Sequence, residues 1–381
     1  MPESQAARTR PARPGLQCGN GRAEGGDRRA VTCLCALDRL RPPIGQAGHR
    51  SVNLRWIMQN LLAVVVSYGG SAHLYGLLAT LTAVPGCQVV LMENHVGTRH
   101  TRLPDGVRLH QGHGNVGYGT AVNLGVRLHL DDHQPPDWVL VVNSDVVLPA
   151  DTGDMLPKLL GEAPDDAGAV GFPIRTGDGR PGRESSVLPS PRTNAFMTMR
   201  GEAAAEARWP ELRYPVGAFF AIRAAAFLRL GGFDPSYWMY YEETDLFCRL
   251  RSMGGRIVWA DEAWHVVHDG GATTGSSPLF HWELGRSAAI YFRRHRDTLG
   301  LSWPGVHAAQ LGVLAARKLV TGRPAATARA LRILRGLVAG LARPEWEPPH
   351  RSVWRVVPTV TRTRIGLLSS GAAQGCVESI R

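Results

Sequence analysis

The sequence predicts an α/β fold: a mixed, mostly parallel sheet flanked by helices, with a basic helical extension at its C-terminal end. Three observations carry that prediction. Short apolar strands alternate with helical stretches from residue 61 onward, several strands end in polar or acidic residues, and no apolar run approaches the roughly 20 residues that span a bilayer. Strands separated by helices of this length imply right-handed crossovers, and in such sheets ligands gather outside the carboxyl ends of the strands.

Taken in order, Leu61-Leu62-Ala63-Val64-Val65-Val66 is a continuous apolar run, as expected of a strand buried on both faces. The pattern then predicts a helix near 74–83, a strand at 88–92, a helix near 118–130 and a strand at 138–142. Residues 173–215 hold several Pro, Gly and Arg and read as a loop-like insertion over the site. An apolar stretch follows at 216–222 and a strand at 256–259. Beyond residue 300 the composition turns to Ala, Leu, Val and Arg, with Leu331, Leu334, Val338 and Leu341 on one helical face and Arg329, Arg332 and Arg335 on another. The expected organisation is therefore a disordered or over-extended N-terminal segment at 1–57, a catalytic domain at 58–300, amphipathic helices at 301–345 and a poorly ordered tail at 346–381. Met58 stands immediately before the first strand, which suits a start there; a transit peptide is the competing view of the Arg-rich segment, against which its acidic residues count.

Charge and cysteines narrow the class. The net charge is +11 over 381 residues, and by composition the excess lies in the two terminal segments, leaving the middle acidic. No basic helix interleaved with aromatics and no zinc-finger spacing accompany it, so nucleic acid is not an expected partner. The six cysteines, Cys18, Cys33, Cys35, Cys87, Cys248 and Cys376, form no Cys-x-x-Cys pair. A disulfide framework is not expected, and a reducing cytoplasmic setting is, with peripheral membrane contact on the inner face as an option.

Three clusters carry chemistry. Asn143-Ser144-Asp145 closes an apolar strand, where an acid flanked by an amide can hold a divalent cation or simply cap the next helix. The run Gly114-Asn115-Val116-Gly117-Tyr118-Gly119 has neither P-loop nor dinucleotide spacing, but it opens a helix and can face a nucleotide sugar with backbone N–H groups and the amides of Asn115 and Asn123. Glu242, Glu243 and Asp245 crowd a helix start, either as macrodipole decoration or with one carboxylate as a general base and the others as supports. Beside them Trp238, Tyr240 and Tyr241 either stack on a sugar or fill the core. His268 can add a nitrogen ligand to the cation, with His265 three positions away as its control.

In this order the motifs resemble the family 2 glycosyltransferases, and within them the bacterial rhamnosyltransferase-like branch that builds cell-envelope polysaccharides. The resemblance covers about residues 61–300 and rests on Val66-Ser67-Tyr68, Glu93-Asn94, Asn115-Val116-Gly117-Tyr118, Asn143-Ser144-Asp145, Gly231-Gly232-Phe233-Asp234-Pro235, the acidic cluster and His268. It implies a GT-A fold, a nucleotide-diphosphate sugar donor, a divalent cation (Mg2+ or Mn2+), a saccharide or lipid-linked acceptor and inversion at the anomeric carbon. It also implies that Ser67, Tyr68 and Glu93 hold the nucleoside, that Asn143 and Asp145 lie beside the diphosphate with Asp145 on the metal, that Glu243 is the base, and that His268 is a late metal or diphosphate ligand. Gly117 belongs to the implied donor loop, and deoxythymidine-diphosphate rhamnose is the implied donor. Three positions depart from the family pattern: Gly69 replaces Asn, Glu93-Asn94 replaces Asp-Asn, and Glu242-Glu243 replaces Glu-Asp. A nucleotidyltransferase that makes nucleotide sugars, and a silent nucleotide-sugar-binding protein at the membrane surface, are the alternative classes.

Overall fold

The computed structural model describes residues 60–269 and 277–343, so the expectations for 1–57 and 346–381 fall outside the described residues. A seven-stranded sheet forms the centre. Its strands are β1 (Leu61–Ser67), β2 (Cys87–Glu93), β3 (Val107–His110), β4 (Trp138–Asn143), β5 (Ala167–Gly171), β9 (Phe219–Arg223) and β10 (Arg256–Trp259), in the order β10-β5-β9-β4-β1-β2-β3. All neighbours run parallel except β9, which lies antiparallel between β4 and β5. The sheet is mixed and mostly parallel, as the alternation predicts.

β1 is buried along its whole length because helices cover both faces. On one face Ala63 and Val65 pack against α1 (Leu74–Thr82) through Leu74, Leu77, Leu78 and Leu81. On the other, Leu62 and Val64 meet α2 (Tyr118–Asp132) through Ala121, Val122 and Leu124. Register places three strand ends on one edge: Ser67 pairs with Glu93 and Val66 with Asn143. The chain leaves β1 toward β2 on one side while β4 lies on the other, the kind of switch point at which open α/β sheets bind ligands.

The 173–215 stretch is more structured than its composition suggests. After α3 (Thr152–Gly161) come β6 (Ile174–Arg175), β7 (Ser185–Val187), α4 (Pro191–Arg200), α5 (Glu202–Arg208) and β8 (Arg213–Pro215). The local reason at α4 is a capping box: Ser190 Oγ accepts from the Thr193 N–H, Thr193 Oγ1 accepts from the Ser190 N–H, and Pro191 starts the helix. A pattern of Gly and Pro hides elements this short from periodicity.

α6 (Ala224–Arg229) and α7 (Glu242–Ser252) follow β9, and β11 (Val266–Val267) pairs with β6. Then α8 (Pro278–Arg294), the short α9 (Arg296–Leu299), α10 (Trp303–Val320) and α11 (Pro324–Ala342) build a separate core around Tyr291, Phe292, Trp303, Ile333 and Leu337. α8 and α11 cross at glycines. A methyl group on Gly285 would sit 1.9 Å from the Ile333 carbonyl oxygen, and one on Gly336 would sit 1.9 Å from that of Trp282. The buried face of α11 is therefore Ala330, Ile333, Gly336, Leu337 and Gly340. Of the apolar row read from sequence, Leu334 packs at the edge of this core, whereas Leu331, Val338 and Leu341 are exposed. Periodicity detected an apolar stripe but not the tighter glycine stripe beside it. Among the described residues no helix is long and apolar enough to cross a membrane.

Candidate active site

Two charged clusters meet at the carboxyl edge of the sheet. The first is Asp145 with His268. Asp145 follows β4, and His268 follows β11, which is drawn alongside by mutual backbone hydrogen bonds between Val147 and Val267. That bridge sets Asp145 Oδ1 3.2 Å from His268 Nε2, with each side chain 13% exposed. Burial disfavours ionisation of Asp145, but the hydrogen bond and charge of His268 outweigh it and hold the carboxyl below the usual range. An anionic oxygen and an imidazole nitrogen, partly open to solvent, suit a cation such as Mn2+ or Mg2+ that takes its remaining ligands from phosphate and water. No group of three His, Cys, Asp or Glu that could hold a metal occurs among the described residues.

The second cluster opens α7. Tyr240 and Tyr241 both adopt φ of 67°, the left-handed region that costs a non-glycine residue roughly 1–2 kcal/mol. This pair turns the chain abruptly so that α7 starts with Glu242 buried and Glu243 half-buried. Glu242 is buried, and its Oε2 has no hydrogen-bond partner. Burial first, then the charges of Glu243 and Glu283, push its carboxyl well above the ordinary range. Glu243 is also raised by burial, but the Gly217 and Thr244 backbone N–H groups and the charge of Arg183 favour its anion. Burial thus raises both adjacent carboxyls, while the Arg183 charge and the Gly217 and Thr244 N–H groups favour the anion only at Glu243.

Tyr118 stands between the clusters. Its hydroxyl donates to the Gly217 carbonyl at 2.5 Å, and burial together with Glu242, Glu243 and Asp145 raises its pKa, so the phenol keeps its proton. In the sequence Tyr118 stands out only as part of the Asn115-Val116-Gly117-Tyr118 motif. Its position at the first turn of α2, where the glycine loop delivers it to the sheet edge, was the available signal. Arg183 and Gly217 left no such signal, because they reach Glu243 from the insertion and from the turn before β9.

Several residues expected to touch substrate are occupied otherwise. Asn123 is buried and clamps the backbone of Phe233, donating to its carbonyl at 2.7 Å and accepting from its N–H at 2.9 Å. Trp238 is buried, stacks on Phe280 and donates from its indole N–H to the Asn115 carbonyl. Its own carbonyl accepts from the Tyr118 N–H, and a methyl group on Gly117 would come within 2.2 Å of that oxygen. Gly117, at φ 91°, is required by this close approach. The Gly117 N–H is taken by Asn115 Oδ1 and that of Val116 by the Gly114 carbonyl, so this loop is shaped internally and does not present a row of donors to an anion.

Glu93 is fully buried. Its Oε1 accepts from the Gly69 and His95 N–H groups, both at 2.9 Å, and its Oε2 lies 3.1 Å from His100 Nε2. It holds the Tyr68-Gly69-Gly70 turn instead of facing the opening. Ser67 is buried with its Oγ accepting from the Gly70 N–H, whereas Tyr68 is exposed beside His95. Asn143 ends β4 next to Asp145 and is partly open. Asp245 turns away from the glutamates: Oδ2 accepts from Arg249 Nε at 2.7 Å and Oδ1 from His295 Nε2 at 2.8 Å. Arg249 in turn donates to the carbonyls of Leu230 and Gly232, which fixes the Gly231-Gly232 turn. Its chemical neighbours make Asp245 an anchor of α7.

The N-acetylglucosaminyl-diphospho-decaprenol L-rhamnosyltransferase of Mycobacterium tuberculosis is 32% identical to this chain over 274 residues, which cover 63% of this chain and 86% of that protein. The chain belongs to the family 2 glycosyltransferases. Membership selects glycosyl transfer over nucleotidyl transfer and over silent binding. The rhamnosyltransferase WbbL of Escherichia coli K12 shares 37% identity with this glycosyltransferase over 82 residues, 21% of this chain and 30% of WbbL. Among solved structures, a mannosyltransferase from Pyrobaculum calidifontis in complex with GDP-Man and Mn2+ aligns with a TM-score of 0.46 at 17% identity, over 83% of this chain and 95% of that one. No family profile matches the chain.

Proposed function

We propose that this glycosyltransferase is an inverting enzyme that moves a deoxy sugar of the rhamnose type from a nucleotide-diphosphate donor to a lipid-diphosphate-linked saccharide of the cell envelope. The names of the M. tuberculosis and E. coli relatives support the sugar, and the former supports the polyprenyl-linked acceptor. The observation that carries the mechanism is the arrangement around Tyr118: an Asp145–His268 pair suited to a cation and diphosphate on one side, and Glu243, whose anion Arg183 and the Gly217 N–H favour, beside the buried Glu242 on the other.

In this reading Glu243 accepts the proton of the acceptor hydroxyl as its oxygen bonds to the anomeric carbon, and the bond from that carbon to the diphosphate oxygen breaks with its electron pair leaving on the nucleotide. One displacement inverts the centre. Asp145 and His268 are the residues that would hold a divalent cation, which would supply charge neutralisation at the departing diphosphate. Asn143 lies beside the diphosphate, Ser67 and the exposed Tyr68 border the nucleoside, and Glu93, Asn115, Gly117, Asn123 and Trp238 act by holding the loops that shape this opening. Glu242 and Asp245 support the base, the first as a buried neighbour whose carboxyl burial pushes up and the second as the anchor of α7. An acceptor on a lipid places the reaction at a membrane surface.

The test is transfer from deoxythymidine-diphosphate rhamnose to a short-chain polyprenyl-diphospho-N-acetylglucosamine, with the product's anomeric configuration read by NMR. Wild type should give the inverted product only with Mg2+ or Mn2+, and chelation should abolish it reversibly. Retention of configuration, or undiminished turnover by both Glu243→Gln and Asp145→Asn, would overturn the assignment.

A further inference from the structure

The face of α10 and α11 that does not pack on α8 is built unlike the rest of the protein. Residues 303–343 contain seven Arg or Lys and no Asp or Glu, whereas the acidic residues are concentrated in the domain that carries the site. The two helices form a hairpin whose tip, Leu319 to Arg323, projects outward: Leu319 is 65% and Val320 87% exposed. Basic side chains, Arg317, Lys318 and Arg323, surround these two apolar ones. Val313, Arg317 and Val320 fall at i, i+4 and i+7 on α10, and Leu331, Arg335 and Val338 at the same spacing on α11, so exposed apolar and basic groups alternate on each helix. Between α8 and α11 a groove of about 530 Å3 continues this mixture, walled by Trp282, Leu334 and Val338 with the guanidinium-bearing Arg335 and Arg343.

We infer that the α10–α11 hairpin is the surface by which this enzyme docks on an anionic lipid bilayer, with Leu319 and Val320 entering the headgroup layer and the surrounding Arg and Lys pairing with lipid phosphates. The absence of any carboxylate across 41 consecutive residues favours an anionic partner over a second copy of this chain, which would bring the same positive field to the interface. The alternation of exposed apolar and cationic side chains favours a bilayer over a free phosphate, since burial of Leu319 and Val320 needs an apolar phase. The crossing of α8 over α11 at Gly285 and Gly336 ties this surface closely to the helix whose Glu283 lies near Glu242, so docking would hold the catalytic domain at the membrane that carries the acceptor. The inference rests on the lipid-linked acceptor proposed above for its purpose, but not for its physical argument.

The experiment is flotation of the full chain with vesicles of phosphatidylcholine alone or with 30% phosphatidylglycerol (roughly a natural anionic fraction, at which each basic residue near the surface adds measurably), in parallel with transfer to a water-soluble acceptor. Wild type should float with the anionic vesicles only, and salt should release it. Arg317→Glu with Arg323→Glu should weaken binding about 30-fold, and Leu319→Ser with Val320→Ser about tenfold, with transfer to the soluble acceptor unchanged. Because residues 1–59 and 344–381 are also basic, undiminished flotation of both variants would overturn the assignment to the hairpin. So would sedimentation of the wild type as a dimer that either variant dissociates. Loss of flotation with soluble transfer intact leaves the transferase reading standing; flotation without any transfer does the reverse.

Discussion

Glu242 and Glu243 are adjacent in sequence, yet burial gives them opposite duties. The Gly217 N–H and the Arg183 charge stabilise the Glu243 anion, while the Glu242 Oε2 has no hydrogen-bond partner and its carboxyl is driven toward the neutral form. Glu243→Gln should reduce kcat about 1,000-fold while leaving nucleotide-sugar affinity within a few-fold, since a general base acts on the transition state. Glu242→Gln is expected to keep most activity, because the amide imitates the protonated acid. It should also unfold at higher temperature than wild type near and above neutral pH. The sign follows from the raised folded pKa: the stability Glu242 contributes is present below its ordinary range and is lost as pH rises through the folded value. Melting curves of the two proteins from pH 4 to pH 9 would diverge on the alkaline side; parallel curves would contradict a Glu242 carboxyl raised by burial.

Among the elements, α7 depends on groups outside itself. Asp245 is tied to Arg249 on its own helix and to His295 at the end of α8, so the pair fastens the helix that presents the glutamates to the C-terminal core. Burial opposes the His295 cation, but Asp245 and Cys248 push its pKa up to about 9. Its contribution is complete below the ordinary histidine value and disappears as pH climbs through about 9. Asp245, held low by Arg249 and His295 despite burial, loses its own contribution only as pH falls through its lowered value. Asp245→Asn should therefore cost on the order of 3 kcal/mol at pH 7, as expected when one partner of a buried pair is removed, and should flatten the alkaline decline. Chemical denaturation at pH 7 and pH 10 checks both statements. The glycine crossing of α8 and α11 makes a second demand. Gly336→Ala would force a methyl against the Trp282 carbonyl, separate the helices and lower stability by roughly 1–3 kcal/mol, read as a drop in the unfolding midpoint.

For the whole molecule, the sheet edge and the basic hairpin divide the work between chemistry and location. With acceptor embedded in anionic vesicles, the Arg317→Glu and Arg323→Glu protein should show a KM raised about tenfold or more and an unchanged kcat, because electrostatic attraction sets local concentration and not the chemical step. Steady-state kinetics on vesicles and on soluble acceptor would separate the two effects.

Much of the architecture was legible in the sequence, because the relevant signals are local. The apolar run of β1, the alternation with α1 and α2, and the polar residues closing β1, β2 and β4 follow from burial on two faces and from where loops must surface. The positions of Asp145, Glu243 and His268 were legible too, as an acid after a strand end, an acid at a helix start and a histidine after a short strand; the roles proposed for them rest on the contacts around them. What remained hidden depends on contacts far apart in the chain. Asn123 and Trp238 look like ligands until Phe233, Phe280 and the Asn115 carbonyl arrive to occupy them, and Arg183 and Gly217 look like loop filler until they reach Glu243. The apolar stripe of α11 was visible, but only the approach of α8 decided that Gly336 and Gly340 would face inward with Ile333 and Leu337 while Leu331, Val338 and Leu341 face outward. Composition and periodicity therefore determined a mixed, mostly parallel sheet with polar and acidic residues closing its strands, and the order of the motifs carried the resemblance to the family 2 glycosyltransferases. The tertiary structure decided which polar groups are left free to act, because a hydrogen bond or an ion pair to a distant residue removes a side chain from chemistry without changing a letter near it.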